Sequence, residues 1–186
     1  MTERQILSVL RKQHTADMAT VAFLRDGGCV SYIVSGGGKK YLLKIVKQAF
    51  IDTARQSVDI MAFLAGRHFP VPRIIRTAEG TPYFAMHEGG RESICILFEF
   101  IEGREPELGE KMEETGALVG RLHQLMSRYD GSMTFHGKGF FIDRYIDILR
   151  RKEYPEEKLA RYIEYGNELW ENVKDLPKGY CHGDLH

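Results

Sequence analysis

The chain has 186 residues, of which 43% are hydrophobic, so it can bury a sizeable core as one domain or two small lobes. Its 26 basic and 26 acidic side chains cancel and are interspersed, which excludes the uniform charge that holds nucleic acid or an anionic membrane. Cys29, Cys95 and Cys181 form no CxxC pair, a pattern typical of a reducing compartment, and we therefore expect a cytoplasmic protein.

The first half of the chain predicts a sheet with one inserted helix. Thr2 and Gln5 have capping-box spacing ahead of an apolar stripe, so a short helix is expected there, and its interspersed charges argue against a signal peptide or membrane span. Over residues 20–46, three antiparallel strands are separated by the turn sequences DGG and SGGGK. Apolar spacings of three and four over residues 51–64 predict a helix capped by Gly66, before the proline-containing segment FPVPR. The segments PYFAMH and ESICILFEF flank the turn EGGR and complete a five-stranded, mostly antiparallel sheet.

The second half of the chain is predicted to be helical. A helix of about five turns is expected over residues 112–125, followed by helical stretches over 141–151 and 155–175. The polar segment EGREPELGE is the plausible linker between the two compositions. The fold class is therefore α+β with two lobes, an N-terminal lobe over 1–101 and a partial helical lobe over 102–186.

Glycine and lysine residues in the first half are candidates for binding phosphate. The sequence SGGGKK does not meet the Walker pattern, because Ile33 and Lys40 stand where Gly and Ser or Thr are required, so it is a turn. Lys44 lies on a strand expected to be central, where its ammonium needs an anion, either a phosphate or the carboxylate of Asp59 on the following helix. The alternative is an ordinary lysine on the exposed face of the sheet.

Two further segments suggest a site. FEFIEG leads from the last strand into the linker, so its backbone groups are available either to a purine edge or, as the alternative, to nothing more than an edge strand leaving a sheet. YCHGDLH places His182, Asp184 and His186 at alternating positions behind an aromatic residue and a glycine, which is typical of a site and not of a surface tail.

In this order, the hairpin, the strand with Lys44, the acid-bearing helix, PVPR, LFEFIEG, TGALVGRLHQL and HGDLH resemble the aminoglycoside phosphotransferase and choline kinase-like family, which has the protein-kinase fold. The resemblance runs from about Val21 to the last residue. It implies that Asp184 is the catalytic aspartate, which orients the acceptor hydroxyl and accepts its proton, with His182 and His186 supporting the catalytic loop.

The resemblance also implies a nucleotide site in the first lobe. Lys44 corresponds to the lysine that holds the α- and β-phosphates, and the turn at Gly27 and Gly28 lies over the phosphates. The hinge is the segment Glu99, Phe100 and Ile101, with the backbone of its first and last residues bonding the adenine. Asp59 stands where the family has Glu, which is one methylene longer, so its pairing with Lys44 is in question.

By the same resemblance, the protein is an ATP- and Mg²⁺-dependent kinase of a small hydroxyl acceptor such as an amino alcohol, an aminoglycoside, a sugar or homoserine. The expected metal-binding Asn falls three places beyond His186, and the second metal ligand, an Asp, falls later still, so no metal ligand is expected within this chain. We therefore expect the chain to be a fragment that is inactive alone and that self-associates through apolar surface.

Two other interpretations remain open. His182, Asp184 and His186 would face one side of an extended segment, as the ligands of a metallophosphoesterase would, but a two-metal hydrolase also needs an earlier Asp-x-His, which the sequence lacks. The other interpretation is a nucleotide-binding or interaction module without catalytic activity.

Overall fold

The structure, a computed structural model, describes residues 1–104, 106–107, 109–176 and 179. The chain forms two compact units, the first being Met1–Gly131 and the second beginning at Ser132. This division lies some way beyond the predicted lobe boundary between residues 101 and 102, which stays a prediction.

The first unit is built on an antiparallel sheet of five strands, in the order β1-β2-β3-β5-β4. The predicted turns join β1 to β2, β2 to β3 and β4 to β5, so the predicted sheet is confirmed, with β3 at its centre. The strands are β1 (Thr20–Asp26), β2 (Cys29–Gly36), β3 (Lys39–Lys47), β4 (Phe84–Glu88) and β5 (Arg91–Glu99).

One helix packs on each face of this sheet. Helix α1 (Glu3–Gln13) begins with the predicted capping box and buries Ile6 against the face that carries Leu43. Helix α2 (Ile51–Ala65) buries Val58 against the opposite face, which carries Ile94. Because side chains alternate along a strand, residues 42, 44 and 46 of β3 lie on the α2 face and residues 41, 43 and 45 on the α1 face.

Gly66 is the C-terminal cap of α2, as predicted. Gly66 keeps a helical φ of −62°, and the left-handed residue is His68, with φ of 56°. The amide of Phe69 donates to the carbonyl of Leu64 at 3.0 Å and the amide of His68 to that of Ala65 at 3.0 Å, which is the Schellman arrangement. The chain therefore leaves the helix just beyond the predicted cap, through a left-handed turn at a histidine instead of a glycine.

At the end of β2, the chain that precedes β1 crosses close to Gly36. A Cβ at this position would lie 2.6 Å from Met18 Cα and 2.8 Å from the amide nitrogen of Ala19, both of them backbone atoms. A Cβ on Gly27, in the turn between β1 and β2, would meet nothing within 4 Å. The first glycine is therefore required by packing, whereas the second is not.

His14, directly after α1, is buried in the same unit. Its Nδ1 lies 3.1 Å from the carbonyl oxygen of Arg76, and since a carbonyl only accepts, Nδ1 carries the hydrogen. Nε2 is buried without a hydrogen-bond partner among the described residues. Burial lowers the pKa of His14 below its ordinary value of 6.5, so the imidazole is held neutral.

The remaining helices confirm the predicted helical composition. Helix α3 (Met112–Met126) has 15 residues, or about four turns instead of five, and Arg121 on it donates from Nη2 to the carbonyl of His68 at 3.0 Å. The second unit contains a π-helical segment (Gly139–Asp143), α4 (Arg144–Arg151) and α5 (Glu156–Val173).

On α3, Met112 and Leu118 are exposed. Self-association through this surface stays a prediction. Among the described residues, no helix is both long enough and apolar enough to cross a membrane.

Candidate functional site

Lys44 lies at the centre of the sheet, on the face that α2 covers. It is half-buried, it stands opposite Ser31 of β2 and Ile96 of β5, and its Nζ lies 5.6 Å from the centre of the Phe98 ring. In the described part of the chain, no carboxylate lies within 4.0 Å of this ammonium. A half-buried cation with no acidic partner is well suited to an anionic ligand.

Asp59 lies on α2, as predicted, but it is exposed. It forms no ion pair with Lys44 within the residues that the structure describes, so the structure does not bring the two together. The adjacent Val58 is the residue that points into the sheet face. Asp59 therefore lies on the side of the helix, about 100° around the helix axis from the buried Val58.

The turn at Gly27 and Gly28 is held by a side chain of β3. Lys47 Nζ lies 2.7 Å from Asp26 Oδ1 and donates to the carbonyl of Gly27 at 3.2 Å. Both glycines are exposed, and neither has a positive φ. Lys47, which holds the turn, lies three residues after Lys44 on the same strand.

The predicted hinge continues from the end of β5. The amide of Phe100 donates to the carbonyl of Lys40 on β3 at 3.3 Å, and the amide of Glu99 donates on the opposite side to the carbonyl of Arg73 at 2.8 Å. In an extended strand, the amide and the carbonyl of one residue point to the same side, and those of the next residue point to the opposite side. Because the amide of Glu99 points away from β3, its carbonyl does so too. No hydrogen bond reaches that carbonyl or the amide of Ile101 from the residues described here.

Side chains that the sequence reasoning did not select flank this hinge. Arg73 Nε donates to Glu99 Oε2 at 2.9 Å, and Lys40 Nζ lies 3.0 Å from Glu102 Oε1. The hydrogen bond and charge of Arg73 lower the pKa of Glu99, and those of Glu99 raise the pKa of Arg73. The one sequence signal for the Arg73–Glu99 pair was the PVPR segment, because prolines favour an extended chain that can lie beside a strand. Nothing in that segment specified Glu99 as the partner of Arg73.

The catalytic-loop candidates His182, Asp184 and His186 lie outside the described residues, so their predicted roles stay predictions. Within the described ranges, no group of three His, Cys, Asp or Glu side chains is placed to hold a metal ion.

We compared the sequence and the fold of this chain with those of known proteins. No curated protein sequence matches the chain. Among solved structures, an amicoumacin kinase in complex with AMP-PNP, Ca²⁺ and Ami superposes with a TM-score of 0.80 at 20% identity, covering 100% of this chain and 59% of that one. A spectinomycin phosphotransferase in complex with ADP and spectinomycin gives 0.65 at 13% identity, with coverages of 100% and 64%.

A microcompartment-associated aminopropanol kinase gives a TM-score of 0.59 at 16% identity and covers 81% of this chain and 57% of that one. At such identities, the likeness establishes the fold that these kinases share. The chain spans 57–64% of the lengths of these three proteins. Residues 20–186 match the phosphotransferase enzyme family. This match covers most of the sequence and agrees with the order of strands and helices in the fold, so the chain belongs to the phosphotransferase enzyme family.

Proposed function

We propose that this protein is an ATP-dependent kinase that transfers the γ-phosphoryl group to a hydroxyl of a small molecule. The observation that carries the proposal is the half-buried residue Lys44, whose ammonium has no acidic partner among the described residues and which lies on the strand beside the hinge. The family match supports the reaction class.

Each described part of the site has a role in this proposal. Lys44 holds the α- and β-phosphates, and the carbonyl of Glu99 and the amide of Ile101 bond the adenine, with Phe100 between them. The turn at Gly27 and Gly28 covers the phosphates with backbone that carries no side chain. These groups bind and orient the nucleotide, which supplies the positioning on which phosphoryl transfer mainly depends.

The chemical step is assigned to Asp184. Its carboxylate accepts the proton of the acceptor hydroxyl while the new bond forms between that oxygen and the γ-phosphorus and the bond to the β–γ bridging oxygen breaks, leaving ADP. Mg²⁺ would neutralise charge on the phosphates in such a reaction. Amino alcohols, aminoglycosides, sugars and homoserine are the acceptor classes that we propose to test.

We propose further that the 186-residue chain alone binds ATP. Calorimetric titration with ATP is the test of nucleotide binding, and failure to bind ATP or ADP would overturn the proposed function. Incubation with labelled ATP, Mg²⁺ and the acceptor panel tests phosphate transfer by this chain, and turnover would refute the inactivity that the resemblance implied.

In a form of the protein that does turn over, Asp184→Asn should lower kcat by about 10²-fold or more while ATP binding is retained. An Asp184→Asn variant with undiminished kcat would remove this residue from the chemical step. Binding of ATP without turnover in every form tested would favour a nucleotide-binding module.

A further inference from the structure

The hinge segment 99–102 is held from both sides by cationic residues that lie outside it. On one side, Arg73 bonds the same residue twice, through its backbone carbonyl to the Glu99 amide at 2.8 Å and through Nε to the Glu99 carboxylate at 2.9 Å. Arg73 is itself anchored to β5, because Ile74 pairs with Phe98 and the amide of Ile75 donates to the carbonyl of Leu97 at 2.8 Å.

On the other side, Lys40 makes three contacts with the segment from β3. Its carbonyl accepts from the Phe100 amide at 3.3 Å, its Nζ lies 3.0 Å from Glu102 Oε1, and the same Nζ stands 5.7 Å from the centre of the Phe100 ring. Lys40 pairs with Ser35 within the β2–β3 hairpin, so it too belongs to the sheet. The segment that leaves the sheet is therefore held to it at Glu99, Phe100 and Glu102.

These contacts have a consequence for the backbone. The amides of Glu99 and Phe100 donate to the carbonyls of Arg73 and Lys40. In contrast, the carbonyl of Glu99 accepts no hydrogen bond from the described residues, and the amide of Ile101 donates none to them. One acceptor and one donor two residues apart match the donor and acceptor on the edge of an adenine base. Their relative orientation depends on the conformation of the segment between them.

The two ion pairs contribute little to the stability of the fold. The Arg73 and Glu99 side chains are 66% and 50% exposed, and those of Lys40 and Glu102 are 55% and 75% exposed. Exposed pairs of this kind are screened by solvent and have small effects on unfolding. Their removal should therefore leave unfolding almost unchanged, so binding of the base is the measurement that reports an effect on the hinge.

We propose that Arg73 and Lys40 are positioning residues that hold segment 99–102 in the conformation in which Glu99 and Ile101 recognise the adenine base. This inference rests on the proposed function. It concerns the base alone, because the phosphates are assigned to Lys44 on the interior of the sheet. Neither Arg73 nor Lys40 is expected to touch the nucleotide.

The test compares ATP with inorganic tripolyphosphate, which has no base, by calorimetric titration of the 186-residue chain. Arg73→Met and Lys40→Met should each weaken ATP binding about two- to fivefold and leave tripolyphosphate binding and the melting temperature unchanged. Arg76→Met is the matched control, since Arg76 lies in the same segment but donates to the carbonyl of Gly80. The reversed pair Arg73→Glu with Glu99→Arg should bind ATP better than Arg73→Glu alone.

The outcomes separate the two levels of inference. If the parent chain binds neither ATP nor tripolyphosphate, the proposed function fails and the positioning role fails with it. If the parent binds both, unchanged ATP affinity in Arg73→Met and Lys40→Met overturns the positioning role alone. Equal losses for ATP and tripolyphosphate would also overturn it, because they would indicate a general structural effect.

Discussion

Replacement of Lys44 by methionine should weaken nucleotide binding strongly and leave the stability of the protein almost unchanged. Methionine keeps the apolar stem between Leu42 and Val46 on the α2 face and removes only the ammonium. In the free protein, the described residues offer this ammonium no carboxylate within 4.0 Å, so its removal should not break an ion pair. The Phe98 ring, 5.6 Å from Nζ, is its one cation–π contact in the described set.

The expected magnitudes follow from these contacts. A charge-assisted bond from an ammonium to phosphate contributes about 1.5 to 3 kcal/mol, so Lys44→Met should raise the Kd for ATP by about 10- to 150-fold. Loss of the cation–π contact costs about 0.5 to 1 kcal/mol, and relief of the half-buried unpaired charge offsets it. The free energy of unfolding should therefore change by less than about 1 kcal/mol.

Calorimetric titration with ATP and urea unfolding of the nucleotide-free protein measure the two quantities. Lys12→Met is the matched control, because Lys12 is an exposed lysine on α1, which packs on the opposite face of the sheet. This variant removes the same charge and should leave the Kd for ATP unchanged.

Two results would refute the reasoning. Equal ATP affinity in the parent and in Lys44→Met, with measurable binding in the parent, would remove Lys44 from the site. A loss of several kcal/mol in unfolding free energy would show that the ammonium has a structural partner, and the argument from an unpaired cation would then be wrong.

Three further predictions concern the fold that positions the site. Gly36→Ala should destabilise the protein by several kcal/mol in urea unfolding, since its Cβ would meet backbone, whereas Gly27→Ala should change stability by less than about 0.5 kcal/mol; similar values for the two would contradict the packing argument. The lowered pKa of His14 means that the unfolded state binds more protons than the folded state, so stability should fall as pH drops below 6.5. In melting temperature measured against pH, His14→Gln should flatten this dependence. Parallel profiles for the parent and the variant would exclude the effect. Arg121→Ala removes the bond to the carbonyl of His68 and should cost about 1 kcal/mol and speed hydrogen exchange in α3, and unchanged exchange would show that the bond is dispensable.

The sequence alone determined the element order, whereas the site positions that it suggested stay predictions. Turn glycines and alternating apolar residues specify hairpins locally, so the β1–β2 and β4–β5 connections were predicted from residues next to one another in the chain. The same local rules predicted α1 from its capping box and α2 from its apolar stripe. The family resemblance then supplied the roles proposed for Lys44, for the hinge and for Asp184.

Local signals were insufficient where several elements meet. The left-handed residue that closes α2 is His68, two positions beyond the predicted cap Gly66, because closing backbone bonds and not residue preference chose that position. Gly36 is required because the backbone at Met18 and Ala19, just before β1, passes against it.

Only the tertiary structure decided the environment of Lys44 and the hinge. Nothing in the spacing of Lys44 and Asp59 showed that the pair would not form in the described fold, since that depends on how α2 is rotated on the sheet. The pairing of Arg73 with Glu99 joins residues 26 apart in sequence, and that of Lys40 with Glu102 joins residues 62 apart. Such contacts are set by strand order and by the path of the connecting segments, which a local pattern of residues does not encode.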